Sequence, residues 1–595
     1  MNFKSASAKR WAALGLSFAF TSLLSCAAVA RESVAIPTPF EVGESPAGNY
    51  LSARIAESEH DTLAASTFFR ETLRSDPRNT DLIQRAFVAS LANGDMQDAF
   101  TLAQKLVVHD SRNSSARLAL AVRDFRTKYY LGVRTELNAS ATGPQRDLTT
   151  ILLTAWSQVG NGDLKKAIGL VDTMSDTSFA VFRDFHAGLM LDVAGKIEEA
   201  GARLKAAYAG DQSTLRLIDA YARNLSRRGK AEEAKDVYLA FNKLQPHNPV
   251  VLAALADLAA GKKLDPMVRD VSAGAAEVLY GLGAYGLGAS GNRIGDEIAA
   301  IVFLRLALVL APEHALALDT LGEAYSKIKQ YESAIEIYDQ VPDSSPLRLT
   351  TDIRIALLLD AMGKHDEAIK RLNDIVAAHP DNVDALSALA DILRSQKQFS
   401  ESADAYGRLL ALTGPGEKTR WAIYYFRGVD YERAKQWSKA EEDLKKALEL
   451  YPEQPLVLNY LGYSWVDQGA HLDEAFKMLR RAVELQPEDG YIVDSLGWAH
   501  YKLGHYDEAV SLLERAIELK PGDPVINDHL GDAYWKTGRK LDARFQWNHA
   551  RDLNPEEDEL SKILGKIENG LPDAATHMPA KDTPPVPHNI TGNGG

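Results

Sequence analysis

The chain has 595 residues, 46% hydrophobic and 25% charged, with 67 basic against 81 acidic side chains and a net charge of −14. That acidity argues against nucleic acid and anionic headgroups as main partners. Cys26 is the only cysteine, which excludes structural disulfides.

The first segment reads as an export leader. Lys4, Lys9 and Arg10 precede a mostly apolar run from Trp11 to Leu24, too short for a comfortable membrane span. Two processing sites compete. Leu23-Leu24-Ser25-Cys26 resembles the lipobox of bacterial lipoproteins, where Cys26 becomes the acylated first residue and Ala27 behind it fits outer-membrane sorting. Ala28-Val29-Ala30 has the A-x-A form of an ordinary signal-peptidase site and gives a soluble periplasmic protein. One cysteine kept in an exported chain tilts towards the first. Losing residues 1–30 removes three positive charges and takes the net charge to −17. The organisation expected is a leader at 1–30, a linker at 31–47, divergent helical repeats over 48–260, a regular solenoid over 261–570 and a disordered tail over 571–595. The tail holds five prolines and three glycines and lacks apolar periodicity.

Helical repeats begin near residue 48. Ala65, Phe69, Leu73 and Pro77 read as the second helix of a first unit. Gly188, Ala200 and Leu204, then Ala222, Ala234, Tyr238 and Pro246, carry the pattern on. It sharpens downstream. Pro452, Pro487, Pro521 and Pro555 are spaced 35, 34 and 34 residues apart. Each closes a unit with Gly on a first helix, Ala on a second, and a large residue four positions later: Gly428, Ala440, Leu444; Gly462, Ala475, Leu479; Gly497, Ala509, Leu513; Gly531, Ala543, Trp547. Gly and Ala let paired helices approach, the large residue is expected to fill the space between repeats, and proline ends the second helix. This is the tetratricopeptide pattern. The fold class expected is all-α, a right-handed superhelical solenoid of roughly a dozen helix pairs, a curved rod whose hollow side grips another polypeptide.

Sites for chemistry do not emerge. Gly281-Leu-Gly283-Ala-Tyr-Gly286 formally fits G-x-G-x-x-G, but no strand precedes it, so it reads as a small-residue helix contact leading into a loop. His471, His500, His505, His529 and His549 lack metal-ligand spacing. There is no G-x-S-x-G and no G-x-x-x-x-G-K-S/T. The chain is therefore expected to be non-enzymatic and to bind no cofactor or metal.

The inner face is more informative. First-helix residues three before and one, four and five after the close-packing glycine share one face. They are Tyr425; Asn459 and Tyr463; Asp494, Trp498, Tyr501 and Lys502; Asp528, Asp532, Trp535 and Lys536. Rigid aromatics with acids suit a protein-binding surface. Trp498→Ala and Trp535→Ala are expected to weaken partner binding more than folding. The Lys/Arg and Asn residues with which some such domains clamp a C-terminal carboxylate are replaced mainly by Asp and Trp.

The stretch from Asn459-Tyr-Leu-Gly-Tyr-Ser-Trp-Val-Asp through Asp494-Ser-Leu-Gly-Trp-Ala-His-Tyr-Lys-Leu-Gly and Leu530-Gly-Asp-Ala-Tyr-Trp to Asn554-Pro555 resembles the bacterial outer-membrane tetratricopeptide lipoproteins that bind and activate carboxyl-terminal-processing proteases. Ile301 to Pro312 is similar to that family's mid-region. The resemblance implies an envelope adaptor that holds a periplasmic protease and its substrates, cell-wall hydrolases among them. The alternative is a scaffold for exopolysaccharide export. Either way the expected partners are proteins, not nucleic acid, and the membrane enters only through an anchor at Cys26.

Overall fold

The computed structural model describes residues 41–140, 147–289, 297–414 and 420–571. The leader, Cys26 and the tail beyond residue 571 lie outside the described residues. Thirty α-helices, α1 to α30 in chain order, and no strand occur among those described.

Successive helices pair through short turns. The reason is local and repeats. Asp523 begins one first helix by accepting from Val525 N at 2.9 Å and Ile526 N at 3.0 Å, just after Pro521 has ended the preceding helix. Gly504 and Gly538 take left-handed φ of 81° and 86° in the turns between paired helices. Lys329, Lys397 and Lys435 adopt φ of 61°, 59° and 62° at the matching turns without glycine.

Each pair closes on its glycine. A Cβ at Gly462 would lie 3.0 Å from Leu479, one at Gly497 2.9 Å from Leu513, and one at Gly531 2.5 Å from Trp547. The large residue of the second helix therefore seats against the glycine of its own repeat, which corrects the expectation that it fills space between repeats.

The N-terminal half departs from an open rod. Helices α3 (Thr80–Asn93), α5 (Ser114–Arg126), α7 (Leu148–Gly160) and α9 (Ala180–Val193) are first helices of successive pairs, the row that lines the hollow. Against that row lie α14 (Val271–Ala289) and α15 (Glu297–Leu310): α15 on α3 and α5, α14 on α7 and α9. One hydrophobic core consequently runs from Ala53 to Leu310, while Ala300, Ile301 and Leu304 on α15 join the next cluster. Arg305 donates through Nη2 to the Asn93 carbonyl at 3.2 Å and through Nε to the Tyr325 hydroxyl at 3.0 Å, and that hydroxyl donates to the Ala92 carbonyl. In this half the hollow is filled by the chain itself.

Small residues make the fit possible. A Cβ at Gly274 would lie 2.1 Å from the buried Trp156 ring, and one at Gly283 2.7 Å from Leu304. Within the G-x-G-x-x-G stretch, Gly283 and Gly286, whose Cβ would lie 3.4 Å from Ala300, are thus helical contact points, and Gly281 is not. We expect Gly274→Ala to lower stability by about 1–3 kcal/mol through overpacking. Gly281→Ala, whose Cβ would meet nothing nearer than 3.9 Å, should be neutral or mildly stabilising. Urea unfolding of both variants checks this; equal effects would contradict the packing.

Candidate functional site

The inner row of the last repeats is carried by α22 (Trp421–Arg433), α24 (Pro455–Asp467), α26 (Gly490–Lys502) and α28 (Pro524–Lys536). The close-packing glycine fixes the phase of each helix, so positions three before and one after it face the same way.

The structure brings these side chains together and buries most of them. Tyr425, Tyr463, Asp494, Trp498 and Asp532 are buried; Asn459, Tyr501, Asp528, Trp535 and Lys536 are half-buried; Lys502 is exposed. Trp498, 7% exposed, stacks on His529 with centroids 3.9 Å apart and on Tyr501 at 4.6 Å. Its Nε1 has no hydrogen-bond partner. Trp498→Ala therefore strips a stack out of the repeat interface, and its cost falls on folding as well as on binding. Tyr425 meets Tyr460 edge-on at 6.0 Å.

The charges form a network. His529 Nδ1 lies 3.0 Å from both oxygens of Asp494. Burial opposes the charged ring, but the Asp494 carboxylate, helped by Asp528 and Asp532, wins and raises its pKa. Asp532 accepts from Trp547 Nε1 at 2.9 Å. Its carboxyl is pushed up to about 6, by burial first and then by Asp528, against the pull of Lys566. Lys566 donates to Asp528 at 2.6 Å and to Asp532 at 2.8 Å. Lys502 pairs with Asp467 at 3.0 Å. Two acceptors on this face, Asn459 Oδ1 and Asp528 Oδ1, lack partners, as Trp498 Nε1 does.

Lys566 belongs to α30 (Glu557–Asn569), which the sequence analysis did not connect with the site. The signal was present: Leu564-Gly565 falls 34 residues after Leu530-Gly531, the phase of another first helix. Ahead of α30, Glu556 meets Lys397 at 3.0 Å, 159 residues away, while Glu559 adds to the burial that raises the Tyr463 hydroxyl. A Cβ at Gly570 would lie 2.0 Å from Trp535. The last helix and the turn behind it thus close over one end of the inner row.

Among the described residues no group of three or more His, Asp, Glu or Cys could hold a metal, and no helix is long and apolar enough to cross a membrane.

Comparison with known proteins agrees with the repeats. Tetratricopeptide-repeat models match residues 315–344, 353–417 and 421–454, and a TPR-repeat model matches 497–538. The human protein O-mannosyl-transferase TMTC1 is 25% identical over 183 residues, 31% of this chain. The chain spans only 20% of that relative's length. Among solved structures, the APC/C hetero-tetramer Cut9–Hcn1 is 16% identical with a TM-score of 0.35, over 88% of this chain and 96% of that one. A tetratricopeptide repeat protein from Parabacteroides merdae is 17% identical with a TM-score of 0.37, over 43% and 99%. The matched segments carry tetratricopeptide repeats, and the described residues form an all-α solenoid of paired helices, repeats of the kind that indicate a protein-interaction scaffold.

Proposed function

We propose that the chain is a non-enzymatic adaptor of the bacterial cell envelope. It is exported to the periplasm, through either processing site, and holds a carboxyl-terminal-processing protease and that protease's cell-wall hydrolase substrates. The observation that supports protein binding at the C-terminal repeats is one inner row on which Asn459, Tyr501, Asp528, Trp535 and Lys536 stay partly exposed, rings beside acids and a cation. The envelope and protease roles come from the leader and from the resemblance over residues 455–556.

Affinity capture from the native envelope tests the reading. Capture with the wild-type chain should recover a protease or a wall hydrolase, and Asn459→Ala should recover less of it while the repeats remain helical. Recovery of polysaccharide-export components alone would reject the adaptor reading.

A further inference from the structure

The repeats act as their own control, and one position fails it. Second helices α25 (Leu472–Leu485) and α27 (Tyr506–Leu519) carry Asp473 and Lys477, and Asp507 and Ser511, at two outward sites one turn apart. All four side chains are exposed although a further repeat follows each of these helices. Those sites therefore face outward wherever they occur, not only at the end of the stack. In α29 (Lys540–Asp552) the same two sites hold Leu541, 84% exposed, and Phe545, 67% exposed.

The charge changes with them. α27 carries Asp507, Glu508, Glu514 and Glu518 against Arg515, and in α25 acids and bases balance. In α29, Lys540, Arg544 and Arg551 outnumber Asp542 and Asp552. Both acids are already paired, Asp542 with Arg539 at 2.8 Å and Asp552 with Arg551 at 2.7 Å. The exposed side chains of Lys540 and Arg544 have a ring beside them, Trp535 at 4.4 and 6.0 Å, and no carboxylate partner among the described residues. A basic rim thus borders an apolar pair on a chain whose net charge is −14.

We propose that the outer face of α29 is a docking surface for an anionic lipid membrane. Leu541 and Phe545 enter the interface, and Lys540 and Arg544 lie at the headgroups. Two features favour a lipid surface over a protein. The site lies on outward-facing second helices, which meet a plane more readily than they enclose a peptide. Two apolar side chains also fall well short of the core of a stable protein interface. This inference does not depend on the adaptor reading. It reverses, at one face, the expectation that acidity keeps this protein off anionic headgroups.

The test uses the full chain with Cys26→Ser, which removes the only native thiol. A single new cysteine then carries an environment-sensitive fluorophore, either at His549, one turn beyond Phe545 on the same stripe, or at Ser511 as a control. Vesicles of phosphatidylcholine alone, or with one quarter phosphatidylglycerol, are added. The leader is common to every chain, so the local emission shift is read rather than total binding. The expected result is a blue shift at position 549 with anionic vesicles only. Leu541→Asp with Phe545→Ser copies the preceding repeat and so leaves the fold intact; it should weaken the partition on the order of tenfold or more. No shift with either vesicle would overturn the proposal and leave the patch to a protein. An equal shift at Ser511, or an equal shift with neutral vesicles, would overturn it as well.

Discussion

Glu277→Ala should destabilise the N-terminal repeats by about 3–5 kcal/mol at neutral pH. Glu277 is a buried carboxylate on α14, placed where the inserted helices meet the arc. Arg216 Nε donates to it at 3.1 Å and Arg216 Nη2 adds a second bond, while His314 Nε2 lies 2.9 Å from Oε1. Burial opposes the charge, but Arg216 first and then His314 hold the carboxyl down at about 2. Removing the carboxylate leaves the half-buried Arg216 guanidinium with Asp219, 3.7 Å away, in place of its two close bonds, and that accounts for most of the loss. The pH dependence has a definite sign. The folded pKa lies below the unfolded one, so the stabilisation is complete above pH ~4.5 and is lost as pH falls towards 2. The gap between wild type and Glu277→Gln should therefore narrow on acidification. Hydrogen exchange of the amides of α3 to α11 (Leu215–Arg227) measures it. A gap that does not change with pH would contradict the ion-pair account.

Asp430→Asn should do the opposite and stabilise the protein at alkaline pH. Asp430 is fully buried on α22, and its Oδ1 has no partner. Ser402 Oγ lies 2.9 Å from the Ala390 carbonyl and 2.6 Å from Asp430 Oδ2. One hydroxyl proton cannot serve two acceptors. If Asp430 carries a proton on Oδ2, it donates to Ser402 and Ser402 donates to Ala390, so these three oxygens are served at once and the unpartnered Oδ1 carries no charge. The electrostatics agree: burial pushes the carboxyl up to about 7, against the Ser402 bond and the Arg394 and Arg433 cations and helped by Asp391. Here the folded pKa lies above the unfolded one, so stability is lost as pH rises from about 4 through 7. The full loss is about 4 kcal/mol. Asparagine keeps the donated bond and does not titrate. Urea unfolding should show variant and wild type nearly equal at pH 4 and the variant ahead by about that amount at pH 8. The same difference at both pH values would show that Asp430 does not titrate in this range.

The two carboxyls mark what a repeat pattern conveys and what it withholds. The period was legible because every unit solves one packing problem with the same residues: Gly497 against Leu513, Gly531 against Trp547, a proline to end the second helix. The inner row was legible as a face, since helix phase follows from the glycine. Its burial was not. Whether Trp498 points at a partner or lies under His529 depends on a contact between repeats that no single unit encodes. The insertion of α14 and α15 was hidden for the same reason. A helix apolar on every side announces that it is buried. It does not announce that Arg305 will reach the Asn93 carbonyl, 212 residues away. Lys566 escaped notice because α30 is a first helix with no second helix after it among the described residues, although Leu564-Gly565 kept the period.

One repeat architecture serves two ends: its N-terminal hollow is filled by the chain's own α14 and α15, and its C-terminal inner row is proposed to receive a partner. The most direct measurement is hydrogen exchange on residues 41–260, the N-terminal repeats without their inserted helices, beside the full chain. The account predicts that α3, α5, α7 and α9 lose protection in the fragment and that it exposes apolar surface to a hydrophobic dye. Protection equal to that of the full chain, with no dye binding, would show an open and self-sufficient solenoid and contradict it.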